Sequence, residues 1–105
     1  MATKEKSFIF DKTVLLWQEI VEKYRSKFSE EDFFSVEFSV EYGGEYELAF
    51  VEFLEKCLDR EVAVEETIAN RIVAACKHWY SIGDMQAVDA REALRKNGLL
   101  ITSPS

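Results

Sequence analysis

A chain of 105 residues with 48% hydrophobic side chains, a single Pro and four Gly has the composition of one packed domain and not of a disordered tail. At that length it removes roughly two-thirds of its unfolded surface from water, and eight Phe, four Tyr and two Trp supply material for a core. The formal net charge of −7 lacks the basic footprint of an autonomous nucleic-acid binder, and no run approaches the roughly 18 apolar residues of a membrane span. The first residues carry no secretory-type pattern, so the chain reads as cytoplasmic. Cys57 and Cys76 fall on the apolar sides of expected helices, where reduced thiols act as small hydrophobes. Two Cys and one His make no metal set, and no cofactor is expected.

Residues 1–7 are polar and expected to be disordered. Phe10, Asp11 and Leu15 have the spacing of a hydrophobic staple around a capping aspartate. A first helix is therefore expected to start there and to run to about residue 27, burying Val14, Trp17, Ile20, Val21, Tyr24 and Phe28. Ser29 followed by Glu30, Glu31 and Asp32 signals a second helix start, with a side-chain cap and acids against the positive end of the dipole. Residues 33–42 are ambiguous between helix and strand. Phe34, Val36, Phe38, Val40 and Tyr42 alternate with polar residues as in a strand, whereas a helix puts Phe33, Val36 and Val40 on one face and Phe34, Phe38 and Tyr42 on another. A strand needs ladder partners, and the other apolar candidates, at 8–10, 62–64 and 99–101, are all short. Helix is the reading adopted.

Gly43-Gly44 ends that element, and the segment over residues 45–59 organises the rest. Glu45, Glu52, Glu55 and Asp59 lie along one side with Lys56, while Leu48, Phe50, Val51, Phe53, Leu54, Cys57 and Leu58 cover the remainder. That apolar face is far wider than the roughly 100° stripe of a surface helix, so this helix must touch neighbours on several sides. After a connector at 60–64, a fourth helix is expected over 65–82, apolar at Ile68, Ile72, Ala75, Cys76, Trp79 and Ile82, with His78 on the solvated side. Gly83 is expected to stop it and Asp84 to cap a fifth helix, apolar at Met85, Ala87, Val88, Ala90 and Leu94 and closed by Asn97-Gly98. Leu99, Leu100 and Ile101 should fold back onto the bundle, and residues 102–105 should be disordered. The expected fold is all-α: a compact bundle of about five helices, in antiparallel pairs around the central amphipathic helix, forming one domain over 1–105.

Residues 30–66 carry thirteen Asp or Glu against Lys56 and Arg60, a balance of −11, and the segments on either side are each +2. So concentrated a field favours a basic protein partner, although the same carboxylates would also serve simply to solvate two helices. The sequence has no glycine-rich phosphate loop, HExxH, Cys-rich metal box or nucleophile elbow. Adjacent acids such as Glu30/Glu31 and Glu65/Glu66 point roughly 100° apart on a helix and do not converge on one bond. The chain is read as a non-enzyme. Surplus apolar surface on the second and third helices would also suit an oligomeric adaptor.

The stretch VEYGGEYELAFVEFLEKCLDREVAVEETIANRIV resembles the small helical bacterial immunity proteins of the Maf-type and contact-dependent growth inhibition families. The resemblance rests on Gly44, Glu45, Tyr46, Glu47, Leu48 and Ala49, then Leu54, Leu58 and the Glu65-Glu66 helix start, within residues 41–79. It implies a protein that neutralises a cognate toxin domain, a basic nuclease in many such pairs, including RNases of the EndoU type. The implied mechanism is acidic occlusion of the toxin's active-site cleft, by a monomer or weak homodimer that touches no nucleic acid or membrane. The toxin-facing surface is then expected at Glu37, Glu41, Glu45, Glu52, Glu55 and Asp59, with Tyr42 and Tyr46 as aromatic anchors beside the Gly-Gly turn.

Overall fold

The computed structural model describes residues 2–79 and 81–102, and the side chains of residues 12–77 and 85–102. Five α-helices run in order among them: α1 Ala2–Tyr24, α2 Glu30–Gly43, α3 Tyr46–Asp59, α4 Glu66–Trp79 and α5 Ser81–Lys96. A 3₁₀ turn, Arg25–Lys27, follows α1, and two-residue strands, β1 Val64–Glu65 and β2 Leu100–Ile101, complete the chain. The fold is an all-α bundle, as the composition and periodicity predict. No helix among the described residues is long and apolar enough to cross a membrane.

The centre of the bundle is α3, because its apolar residues occupy most of its circumference. Ala49, Phe50, Val51, Phe53, Leu54 and Cys57 are all buried, and α3 packs against α1, α2, α4 and α5. Around it gather Trp17, Ile20 and Tyr24 of α1, Phe33 and Val36 of α2, Ile68, Ile72 and Cys76 of α4, and Ala87 and Leu94 of α5. Tyr24 meets Phe53 edge-on with ring centroids 5.2 Å apart, and Trp17 stacks on Phe33 at 6.0 Å. Burying each large apolar side chain contributes about 1.5–3 kcal/mol relative to leaving it in water.

Residues 33–42 are helical. Phe33 and Val36 are buried and Val40 packs against the core, while Phe34, Phe38 and Tyr42 point outward. The chain leaves α2 through Gly44, whose φ of 63° is the left-handed conformation that favours glycine. There the Glu45 N–H donates to the Ser39 carbonyl at 2.9 Å. The same device ends α5, where Gly98 has φ 71° and the Leu99 N–H donates to the Leu94 carbonyl at 2.9 Å.

Four boundaries differ from those expected. The first helix begins at Ala2, so Asp11 lies within it and not at its N-terminus; Ala2, Lys4, Glu5 and Lys6 are strong helix formers that carry the helix through the staple. The fourth helix starts at Glu66 and ends at Trp79, and α5 starts at Ser81. Gly83 and Asp84 therefore sit in the first turn of α5 instead of breaking the chain before it, a place where glycine costs only about 1 kcal/mol. The side chains of His78, Trp79 and Ile82 lie outside those described. The short segments that could not ladder with residues 33–42 pair with each other: β1 and β2 are parallel, Val64 opposite Leu100 and Glu65 opposite Ile101. The Val64 N–H donates to the Leu99 carbonyl at 2.8 Å, and Leu99 and Leu100 pack against the core. The tail folds back as expected; residues 103–105 lie outside the described residues.

Candidate functional site

The hairpin of α2 and α3 is fixed by polar contacts at one end and in the middle. At the start of α2 the Ser29 Oγ accepts the Asp32 N–H at 3.1 Å. The Asp32 carboxylate in turn receives the Arg60 fork from the end of α3, Nε at 2.9 Å and Nη2 at 3.1 Å, with Lys56 Nζ at 3.9 Å. The Arg60 guanidinium holds the Asp32 carboxyl below the usual carboxylate range. Further along, the Ser39 Oγ donates to Glu52 at 3.4 Å. These contacts, with buried Phe33 and Val36, set the rotation of α2 about its axis.

That rotation leaves Phe34, Phe38 and Tyr42 facing water, 54%, 50% and 70% exposed. They are four residues apart, so they stack along one line over roughly 12 Å. The Phe34 and Phe38 centroids are 6.0 Å apart, edge-on, and those of Phe38 and Tyr42 are 4.7 Å apart, stacked. The result is an aromatic ladder on the surface of α2.

Carboxylates flank the ladder on both sides. On one side, helical geometry places Glu37 and Glu41, with Glu30 at the head of the ladder's own row; Glu37 pairs with Arg25 at 3.3 Å. On the other, Ser35 opens onto a shallow groove lined with Glu52, Glu55, Lys56 and Asp59 of α3. Burial pushes the Glu52 carboxyl up and neighbouring Glu55 and Glu45 add to the effect, against the Ser39 hydrogen bond and Lys56. Nearby cations are already committed: Arg25 to Glu37, and Lys56 and Arg60 to Asp32. Glu30, Glu31, Glu41, Glu45, Glu55 and Asp59 form no salt bridge among the described residues.

Of the residues expected to face a partner, Glu52, Glu55 and Asp59 come together in the groove, and Glu37 and Glu41 lie on the opposite flank. Tyr42 extends the ladder and Glu45 is exposed in the turn. Tyr46 turns inward instead, half-buried against the core with its ring 6.4 Å from Phe50. Phe34 and Phe38 were not expected in the site; their spacing of four from each other and from Tyr42 was the signal that marks them.

Cys57 and Cys76 are buried and not disulfide-bonded, and burial pushes the Cys57 thiol up, away from the nucleophilic thiolate. Among the described residues no three His, Cys, Asp or Glu side chains group as metal ligands. A second polar cluster, in which Lys23 bridges Glu19 and Glu65 at 3.4 and 2.8 Å and Arg71 pairs with Glu19, ties α1 to α4 and β1. What the α2–α3 face offers is contact area and negative potential. Comparison with protein-family models, curated proteins and solved structures found no match for this chain.

Proposed function

We propose that this chain is a non-catalytic immunity protein, which binds a cognate bacterial toxin domain in the cytoplasm and neutralises it by covering its active-site cleft. The toxin domain it fits is a basic nuclease, an RNase of the EndoU type being one candidate. The observation that carries the reading is the aromatic ladder between two acidic flanks, on a face whose cations are already paired. Aromatic side chains supply the well-packed centre of protein interfaces, and an acidic rim accelerates encounter with a basic surface. A nuclease cleft is basic because it grips phosphates, so carboxylates seated there would occupy the positions of the substrate backbone. Occlusion of this kind needs no chemistry by the bound chain.

The test begins by reading the open frame immediately upstream in the source genome, which the proposal expects to encode a large secreted protein with a basic C-terminal domain, and by purifying that domain. Its nucleic-acid cleavage should stop at a one-to-one ratio with this chain, and its toxicity should be suppressed on co-expression. Cleavage that continues undiminished under a large excess of this chain would refute the proposal, as would the absence of any such upstream reading frame.

A further inference from the structure

We infer that Phe34, Phe38 and Tyr42 are the docking seam for a basic amphipathic helix of the protein partner, an inference that rests on the binding role proposed above and names the element bound. Exposure and backbone geometry lead to it. The ladder is exposed over about two turns of α2 although the core beneath is already filled by Phe33, Val36 and Val40, so folding does not require it. The side of α2 offers no unpaired backbone groups, since a helix satisfies its own N–H and C=O. A segment docking there cannot extend a β-ladder and must satisfy its own backbone, which a helix does. Two turns of a partner helix match the length of the seam.

Charge decides the composition of that helix. Glu30 continues the line of the ladder four residues before Phe34, Glu41 stands on one flank, and Glu31, on the row of Ser35, lies on the flank of Glu55 and Asp59, all without salt bridges among the described residues. An apolar stripe bordered by Lys and Arg would meet these carboxylates on both sides, with an Arg guanidinium also able to lie over an aromatic face. A second copy of this chain is the competing occupant. It would set Glu30, Glu31 and Glu41 of one copy against the same acids of the other, with Arg25, Lys56 and Arg60 already committed to Glu37 and Asp32. Like charges so placed oppose association.

The experiment is a chemical-shift titration of the full chain with a synthetic helical peptide bearing one Leu seam flanked by Lys and Arg, and with a second peptide flanked by Glu. The expected result is that the basic peptide perturbs Phe34, Phe38, Tyr42 and the flanking Glu residues, and that added salt weakens binding. The Phe34→Ser/Phe38→Ser variant should bind at least tenfold more weakly while keeping the wild-type spectrum elsewhere, because both side chains are half in water. Equal binding of the two peptides, perturbation away from α2, or a salt-strengthened dimer of the chain alone that is lost in the variant would overturn the inference. Failure of the toxin proposal is distinguishable: the peptide would still dock on α2 while the toxin domain kept cleaving.

Discussion

Phe33 and Phe34 are consecutive in sequence and 1% and 54% exposed, so truncating each to alanine separates the two faces of α2. Phe33 stacks on Trp17 at 6.0 Å and tilts against Phe28 at 5.9 Å. Phe33→Ala removes those contacts and leaves a cavity beside α3, at a cost of about 3–5 kcal/mol. Phe34→Ala loses chiefly its contact with Phe38 and gains some helix propensity, so its cost is about 1 kcal/mol or less. A domain of this size has about 5–15 kcal/mol in total, and each kcal/mol lowers Tm by about 4–8 °C. Phe33→Ala should then lower Tm by roughly 12–40 °C, and Phe34→Ala by about 8 °C at most. Thermal and urea unfolding followed by circular dichroism measure both, and an unchanged urea m-value would confirm that the same two states are compared. A strand over residues 33–42 would bury Phe34 with Val36 and Phe38 and turn Phe33 outward. Equal or reversed costs would therefore refute the helical register and the exposed ladder with it.

The remaining predictions concern single contacts. The Tyr24 hydroxyl accepts the Glu65 N–H at 3.0 Å; Tyr24→Phe should cost about 1–2 kcal/mol and speed hydrogen exchange at the Glu65 amide, and unchanged exchange would contradict the assigned bond. Glu61 has φ 55°, a left-handed conformation that costs a non-glycine residue about 1–2 kcal/mol, so Glu61→Gly should raise the urea midpoint. Gly44→Ala, at φ 63° with open space around it, should lower the midpoint by a similar amount, and a shift of the same sign in both would defeat the reasoning. Glu52 has a raised pKa in the folded state, so its ionisation opposes folding: the cost appears as pH rises through the unfolded value and is complete above the folded one. Glu52→Gln should be more stable than wild type at neutral pH and lose that advantage in acid. Asp32, held low by Arg60, contributes stability that is present above its unfolded pKa and lost as pH falls through the folded one. Asp32→Asn should thus be less stable at neutral pH and converge with wild type in acid; parallel pH profiles for the two variants and wild type would sink both assignments.

The fold was legible wherever a local pattern has one physical solution. The wide apolar face of residues 45–59 demanded neighbours on several sides, and α3 has them. Gly44 and Asn97-Gly98 marked helix ends because the left-handed turn selects glycine, and both glycines adopt it. Boundaries were misplaced where two local signals compete. The staple at Phe10, Asp11 and Leu15 lost to the helix propensity of the residues before it, and Gly83 stood close enough to the true end of α4 to be mistaken for its stop. The pairing of β1 with β2 was hidden for another reason: two residues a strand carry no periodicity, and their pairing depends on tertiary placement by α4 and α5.

The acidic half of the candidate site could be read from residue counts, but its aromatic half lay within the ambiguity over residues 33–42. Apolar residues at 33, 36 and 40 follow one helical face, and those at 34, 38 and 42 follow another; interleaved, the two sets imitate the alternation of a strand. Once ladder partners are excluded, that alternation means a helix with two apolar faces. A single core can cover only one of them, and here it covers Phe33 and Val36 while Phe34, Phe38 and Tyr42 remain in water. Tyr46, chosen with Tyr42 for its position beside the turn, belongs to the covered side instead, because the left-handed step at Gly44 reorients the chain between them. Three exposed aromatics in line make an apolar patch of the kind that marks interaction sites, and the bordering carboxylates, without salt bridges among the described residues, would oppose a second copy of this chain. The proposal of a basic partner rather than self-association therefore rests on the rotation of α2 as well as on its composition.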